Sequence, residues 1–125
     1  MAKFKIAQNP TFTAVVAIPR VGGDPIDVSF TFRRLGRKEL AAVYDKWSES
    51  AKGFALDDDD ITFTALADAD TSIQRQQIKD IVIGWGFEDE FNDENIEALC
   101  DTSAYAAQVI VEAYRKEYAE ARLKN

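Results

Sequence analysis

A chain of 125 residues, 46% apolar and 30% charged, fits one domain that buries roughly two-thirds of the surface its unfolded form would expose, and it is too hydrophobic for general disorder. Its 22 acidic and 15 basic residues leave a net charge of −7, which disfavours nucleic acid and anionic lipid and favours a protein as partner. Histidine is absent and Cys100 is the one cysteine, so the usual catalytic triads, most transition-metal sites and any internal disulfide are excluded.

The first third of the chain reads as β structure. In "IDVSFTFR", Ile26, Val28, Phe30 and Phe32 alternate with Asp27, Ser29, Thr31 and Arg33, the pattern of a half-buried strand. Upstream, "TFTAVVAI" offers Phe12, Ala14, Val16 and Ile18 to the same core, and "PRVGGDP" between the two carries the glycines and prolines of a hairpin connection. The N-terminal "KFKIA" is the natural third strand of such a sheet. The longest wholly apolar run, "AVVAI" at 14–18, falls far short of the about 20 residues of a membrane span, and "MAKFKIAQNP" lacks the apolar block of a signal peptide. A soluble, cytoplasmic protein is expected.

After Gly36 the period changes. Leu40, Val43, Tyr44, Trp47, Ala51 and Phe54 follow helical spacing, with Gly53 as the expected stop. The next segment, "ALDDDDITFTALADADTS", leaves loop, short strand and helix all open. Its four aspartates Asp57–Asp60 are hard oxygen donors suited to Ca²⁺ or Mg²⁺, but the glycine and distal glutamate of a calcium loop do not fall in place, and mutual repulsion favours a solvated loop. Asp68-x-Asp70 has the spacing of a phosphatase nucleophile and acid pair, yet Ser72 occupies the fifth position, where threonine or valine belongs. No catalytic, cofactor or metal residue is therefore assigned, and a metal-dependent hydrolase built on these aspartates is the enzyme alternative. Further on, Ile78, Ile81, Val82 and Trp85 make another helical stripe, expected to end at Gly84 or Gly86.

The stretch "GWGFEDEFNDENIEAL" at 84–99 packs aromatics against carboxylates. A calcium loop begun at Asp89 places Phe91 on a ligand position, and one begun at Asp93 places Ala98 where glycine belongs. A helix start explains more: with Asn92 as N-cap, Phe91 and Ile96 occupy the two positions of a hydrophobic staple, and Asp93 and Glu94 enter the positive first turn. A final helix over about 103–122 puts Ala107, Ile110, Tyr114, Tyr118 and Ala121 on one face, widened by Val109 and Ala113. Trp47 and Trp85 sit on apolar stripes and read as core. Phe87 and Phe91 are the candidate partner-contact residues, with Tyr114 and Tyr118 behind them.

Four stretches taken together, "MAKFKIAQNPTFTA", "IPRVGG" before "FTFR", "IVIGWGFEDEFNDENIEALC" and "EAYRKEYAEARLKN", resemble the tail assembly chaperones of long-tailed bacteriophages, with the 84–95 arrangement the most specific part. Residues 53–72 depart from that pattern and read as an insertion or loop. The resemblance implies a nonenzymatic protein without cofactors that acts in the host bacterial cytoplasm and is left out of the mature virion. Its implied partner is the long, apolar, helical tape measure protein, held soluble until the tail tube polymerises, with several copies of the chaperone self-associating along the client. It also implies a frameshifted longer form that reaches the tail tube protein. The terminal Leu-Lys-Asn is compatible with a slippery run, since AAA encodes lysine and AAC or AAT asparagine.

The expected architecture is α+β: an N-terminal antiparallel hairpin or small sheet packed on a cluster of about four helices, within a single domain that is β-rich over about 1–35 and mainly helical over about 37–125. The alternative to a chaperone is another phage tail structural or connector protein.

Overall fold

The computed structural model describes residues 3–52 and 62–123. Its elements are β1 (Thr11–Arg20), β2 (Gly23–Arg33), α1 (Arg37–Lys52), α2 (Phe63–Ile81), β3 (Val82–Trp85), α3 (Asp93–Thr102) and α4 (Ala106–Leu123). The fold is α+β, with, among the described residues, a three-stranded antiparallel sheet in the order β1-β2-β3 and four helices.

The hairpin follows its alternation. Val16, Ile18, Val28, Phe30 and Phe32 are buried on one face, while Thr13, Val15, Ala17, Asp27 and Ser29 are exposed on the other. An antiparallel sheet tolerates that asymmetry because a single covered face is enough to form a core. The chain reverses at Val21 and Gly22, where Gly22 has φ +74, a backbone region that side-chain-bearing residues rarely adopt. Register shifts between Ile18 and Arg20, so Pro19 and Pro25 fall at the irregularity, where missing N–H groups cost no ladder bonds.

The third strand is not the N-terminal "KFKIA", which forms no strand. It is β3, where Val82, Gly84 and Trp85 pair with Phe32, Thr31 and Phe30. This also corrects the helical stripe expected to run to Gly84 or Gly86: α2 ends at Ile81, and Val82 takes extended angles while its N–H donates to the Ile78 carbonyl. The spacing misleads because a register shift between Thr31 and Phe32 returns both Val82 and Trp85 to the core side, imitating the i, i+3 recurrence of a helix.

The open segment before α2 resolves in part as helix. Thr62 caps α2, its Oγ1 accepting from the Ala65 N–H at 3.1 Å, so residues 63–72, read as insertion or loop, are helical. The expected α1 stop at Gly53, the Phe54 of its stripe, and Asp57–Asp60 lie outside the described residues. Asp68 and Asp70 are exposed on α2, about 200° apart around the helix axis, and do not converge.

α1 and α2 are joined through Asp80. Its carboxylate accepts from Trp47 Nε1 at 2.8 Å, Lys46 Nζ at 3.0 Å and Gln76 Nε2 at 2.8 Å. Burial alone would push the Asp80 carboxyl up, but those bonds from Trp47, Lys46 and Gln76 outweigh it and hold the group below its ordinary value. On α4, Ala107, Ile110, Val111 and Tyr114 are buried against the sheet-facing core, with Val109, Ala113 and Tyr118 packed at its margin. Among the described residues no buried side-chain polar atom lacks a hydrogen-bond partner, as a well-specified core requires.

Candidate partner interface

The acid-aromatic stretch forms the end of β3, a short loop and the start of α3. The loop is tied down at several points: Trp85 Nε1 donates to the Asp89 carbonyl at 2.8 Å, the Gly86 N–H to the Ser29 carbonyl at 2.8 Å, and Asn95 Nδ2 to the Glu90 carbonyl at 2.8 Å. Asn92 is the N-cap of α3, its Oδ1 accepting from the Asn95 N–H at 2.9 Å. Phe91 and Ile96 occupy the staple positions around that cap, Phe91 packing against the buried cluster to which Ile96 belongs. The loop backbone is thus held by hydrogen bonds from Trp85, Gly86 and Asn95.

Aromatic packing fixes the side chains. Trp85 stands edge-on to Phe87 and Phe91, each with ring centroids at 5.0 Å, and both Trp85 and Phe87 meet Phe30 edge-on at 6.3 and 6.1 Å. These are the T-shaped geometries that the ring quadrupole favours.

A groove of about 470 Å³ opens beside this cluster. Ile18 and Val21 at the hairpin end form one wall, Trp85 and Phe87 a second, and Ala98 and Leu99 of α3 a third. Ser103 Oγ donates to the Pro19 carbonyl at 3.1 Å and fastens the hairpin end to the turn between α3 and α4. Val21 is 97% exposed, an apolar side chain left in solvent at the groove mouth. Sequence reasoning missed Ile18, Val21 and Leu99 as groove residues, although a valine between arginine and glycine in a tight turn is a usable signal.

The wall made by the loop and α3 is acidic. The loop and α3 carry Glu88, Asp89, Glu90, Asp93, Glu94, Glu97 and Asp101, of which Asp89 lines the groove, and α3 itself contains no basic residue. Asp93 pairs with Lys79 at 2.9 Å and Glu97 with Arg75 at 3.3 Å. Both pairs reach back to α2, whereas Asp89, which lines the groove, has no ion-pair partner among the described residues. Cys100 is buried behind this wall, its thiol pushed up to about 11 chiefly by burial, with Glu97 adding and Arg75 opposing. It is no nucleophile near neutral pH.

The four candidate contact residues separate. Phe87 lines the groove, and Phe91 stands against Trp85. Tyr118 lines a second groove of about 640 Å³ with Gln8, Phe12, Arg34 and Glu117. Tyr114 is fully buried, its hydroxyl donating to the Arg33 carbonyl at 2.8 Å and standing 3.1 Å from that of Tyr118, which itself bonds the Leu35 backbone. Burial, and then the Tyr118 hydroxyl, raise the Tyr114 phenol well above its ordinary value. It presents no surface to a partner in this chain.

A family model described as phage tail assembly chaperone matches residues 1–125, the full length given. The chain belongs to the phage tail assembly chaperone family. Comparison with curated proteins and with solved structures gave no match. Family membership gives the protein a chaperone role in tail assembly, with tail proteins as its partners, and places it in a family not known for enzymatic activity. Among the described residues no helix is long and apolar enough to cross a membrane, and no three acidic or cysteine side chains are grouped to hold a metal ion.

Proposed function

We propose that this chaperone binds the tape measure protein through the groove beside Trp85, keeps it soluble in the host cytoplasm, and leaves before the virion is complete. The observation that carries the reading is the preformed groove, open to solvent, with apolar side chains from three segments (Ile18 and Val21, Trp85 and Phe87, Ala98 and Leu99) set among polar ones, in a protein whose family works on tail proteins. A long helical client exposes apolar stripes until it is packed, and a complementary groove shields them. In this reading Phe87 makes the direct contact and Phe91 supports it through Trp85. Tyr118 offers a further contact at the second groove, positioned by Tyr114 beneath it. Several copies along one client imply self-association, and a frameshifted longer form would link the complex to the tail tube protein.

The test is co-expression with the tape measure protein of the same tail gene cluster. Copurification, and loss of soluble tape measure protein when the chaperone is omitted, are the expected results. A stoichiometric band in purified virions would overturn the reading in favour of a tail structural or connector protein. The longer form requires a slippery heptamer and an overlapping downstream frame in the gene.

A further inference from the structure

Resting on the reading of the groove as the client seat, we propose that its occupant is an amphipathic α-helix whose apolar stripe is flanked, on the side facing α3, by lysine or arginine. Geometry sets the helical shape. The groove-facing residues of α3 are Asn95, Ala98, Leu99 and Thr102, an i, i+3, i+4, i+7 stripe about 10 Å long that, among the described residues, no helix covers on the groove side. Ala98 is exposed at the middle of that stripe, and so small a residue lets another helix approach to the about 8–10 Å of ordinary helix packing.

Charge sets the flank. Glu94 and Asp101 precede Asn95 and Thr102 by one position, so both lie on the same exposed edge of the stripe, and Asp89 lines the groove itself. None of the three has an ion-pair partner among the described residues, whereas Asp93 and Glu97 on the opposite side of α3 are neutralised by α2. The one basic groove residue, Arg20, stands on the hairpin wall. A bound helix therefore meets carboxylates along one edge and a guanidinium along the other, which fixes its rotation as well as its composition.

The probes are two designed helical peptides with the same leucine stripe, one with lysine and one with glutamate along one flank, titrated against the whole chaperone by fluorescence anisotropy. The lysine peptide is expected to bind at least tenfold more tightly at low salt, the gap narrowing at high salt as screening shortens the reach of exposed charges. Glu94→Lys with Asp101→Lys should reverse the preference, and Ala98→Gln, which fills the groove without charge, should weaken both peptides at least fivefold while leaving the circular dichroism spectrum unchanged. Equal affinity of the two peptides, indifference to these variants, or equal binding of an extended strand-forming peptide of matched composition would overturn the proposal. The two readings fail separately: a tape measure protein that copurifies regardless of the charge reversal sinks this inference alone, and peptide discrimination without copurification sinks the client identity alone.

Discussion

Replacing Asp80 with alanine removes one acceptor from three donors, and the donors are unequal. The Lys46 side chain is 51% exposed and Gln76 is exposed, so water replaces the lost oxygen for both, and the surface ion pair contributes at most about 1 kcal/mol. Trp47 is 7% exposed, and an indole N–H stranded in the core costs about 1–3 kcal/mol. Asp80→Ala should therefore lose about 2–3 kcal/mol, or about 8–12 °C in Tm for a chain of this size. Asp80→Asn keeps a carbonyl for Trp47 and gives up the charge, so its expected loss is about 1 kcal/mol. The pH dependence has a definite sign. The folded value lies below the ordinary 3.8, so the carboxylate's extra stabilisation is complete above that value and fades as pH falls through the depressed one. The gap between wild type and Asp80→Asn should be constant from neutral pH down to about 4 and close below it. Urea unfolding followed by circular dichroism across that range measures both effects. If Asp80→Ala stays within about 0.5 kcal/mol of wild type at pH 7, the Trp47 N–H has found water and the reasoning fails.

Asn92→Ala should cost about 1 kcal/mol by freeing the Asn95 N–H at the start of α3, read in the same unfolding assay, whereas Asn92→Ser should recover most of it. With its pKa near 11, Cys100 holds only about one thiolate in a thousand at pH 8, so a disulfide reagent should modify the native protein far more slowly than the urea-unfolded one. Phe91→Ala should lower stability by about 2 kcal/mol, less than the about 3–5 kcal/mol of a fully buried phenylalanine, and weaken client capture by the folded fraction less than Phe87→Ala does. Phe87→Ala should weaken capture at temperatures where the variant is fully folded. Equal capture by both variants would remove Phe87 from the contact surface.

What the sequence makes legible is what one period can encode. The alternation through Ile26, Val28, Phe30 and Phe32 gives β2 its buried face, the recurrence from Ala107 to Tyr118 gives α4 its core side, and Phe91, Asn92 and Ile96 together mark the start of α3. The third strand was hidden because it is four residues long, follows a helix without a break, and is specified by pairing with residues 50 positions earlier, as the partnership of Phe32 with Val82 shows. Thr62 was hidden because "ITFT" alternates like a strand, while its capping bond makes it the entry to α2. Of the candidate site, Phe87 was legible as an aromatic stranded between elements. The groove around it was not, because its walls come from 18–21, 85–89 and 95–103, segments that no local pattern relates.

The rigidity of the 85–95 loop bears directly on how a chaperone of this kind releases its client. Binding to a flexible aromatic loop would cost the ordering of each side chain, about 0.5–1.5 kcal/mol apiece. Here the Trp85, Gly86 and Asn95 hydrogen bonds and the edge-on rings have already fixed the loop, so a short contact retains more of its interaction energy. If the client seats as proposed, affinity rests on a small area and on exposed carboxylates rather than on a large buried interface. Such contacts form quickly through electrostatic steering and break quickly once the charges are screened or the apolar stripe finds a better partner. On the proposed reading, in which a long client is yielded to a polymerising tube, both properties are needed, and many shallow seats along the client would meet that need where one deep seat would hold too long.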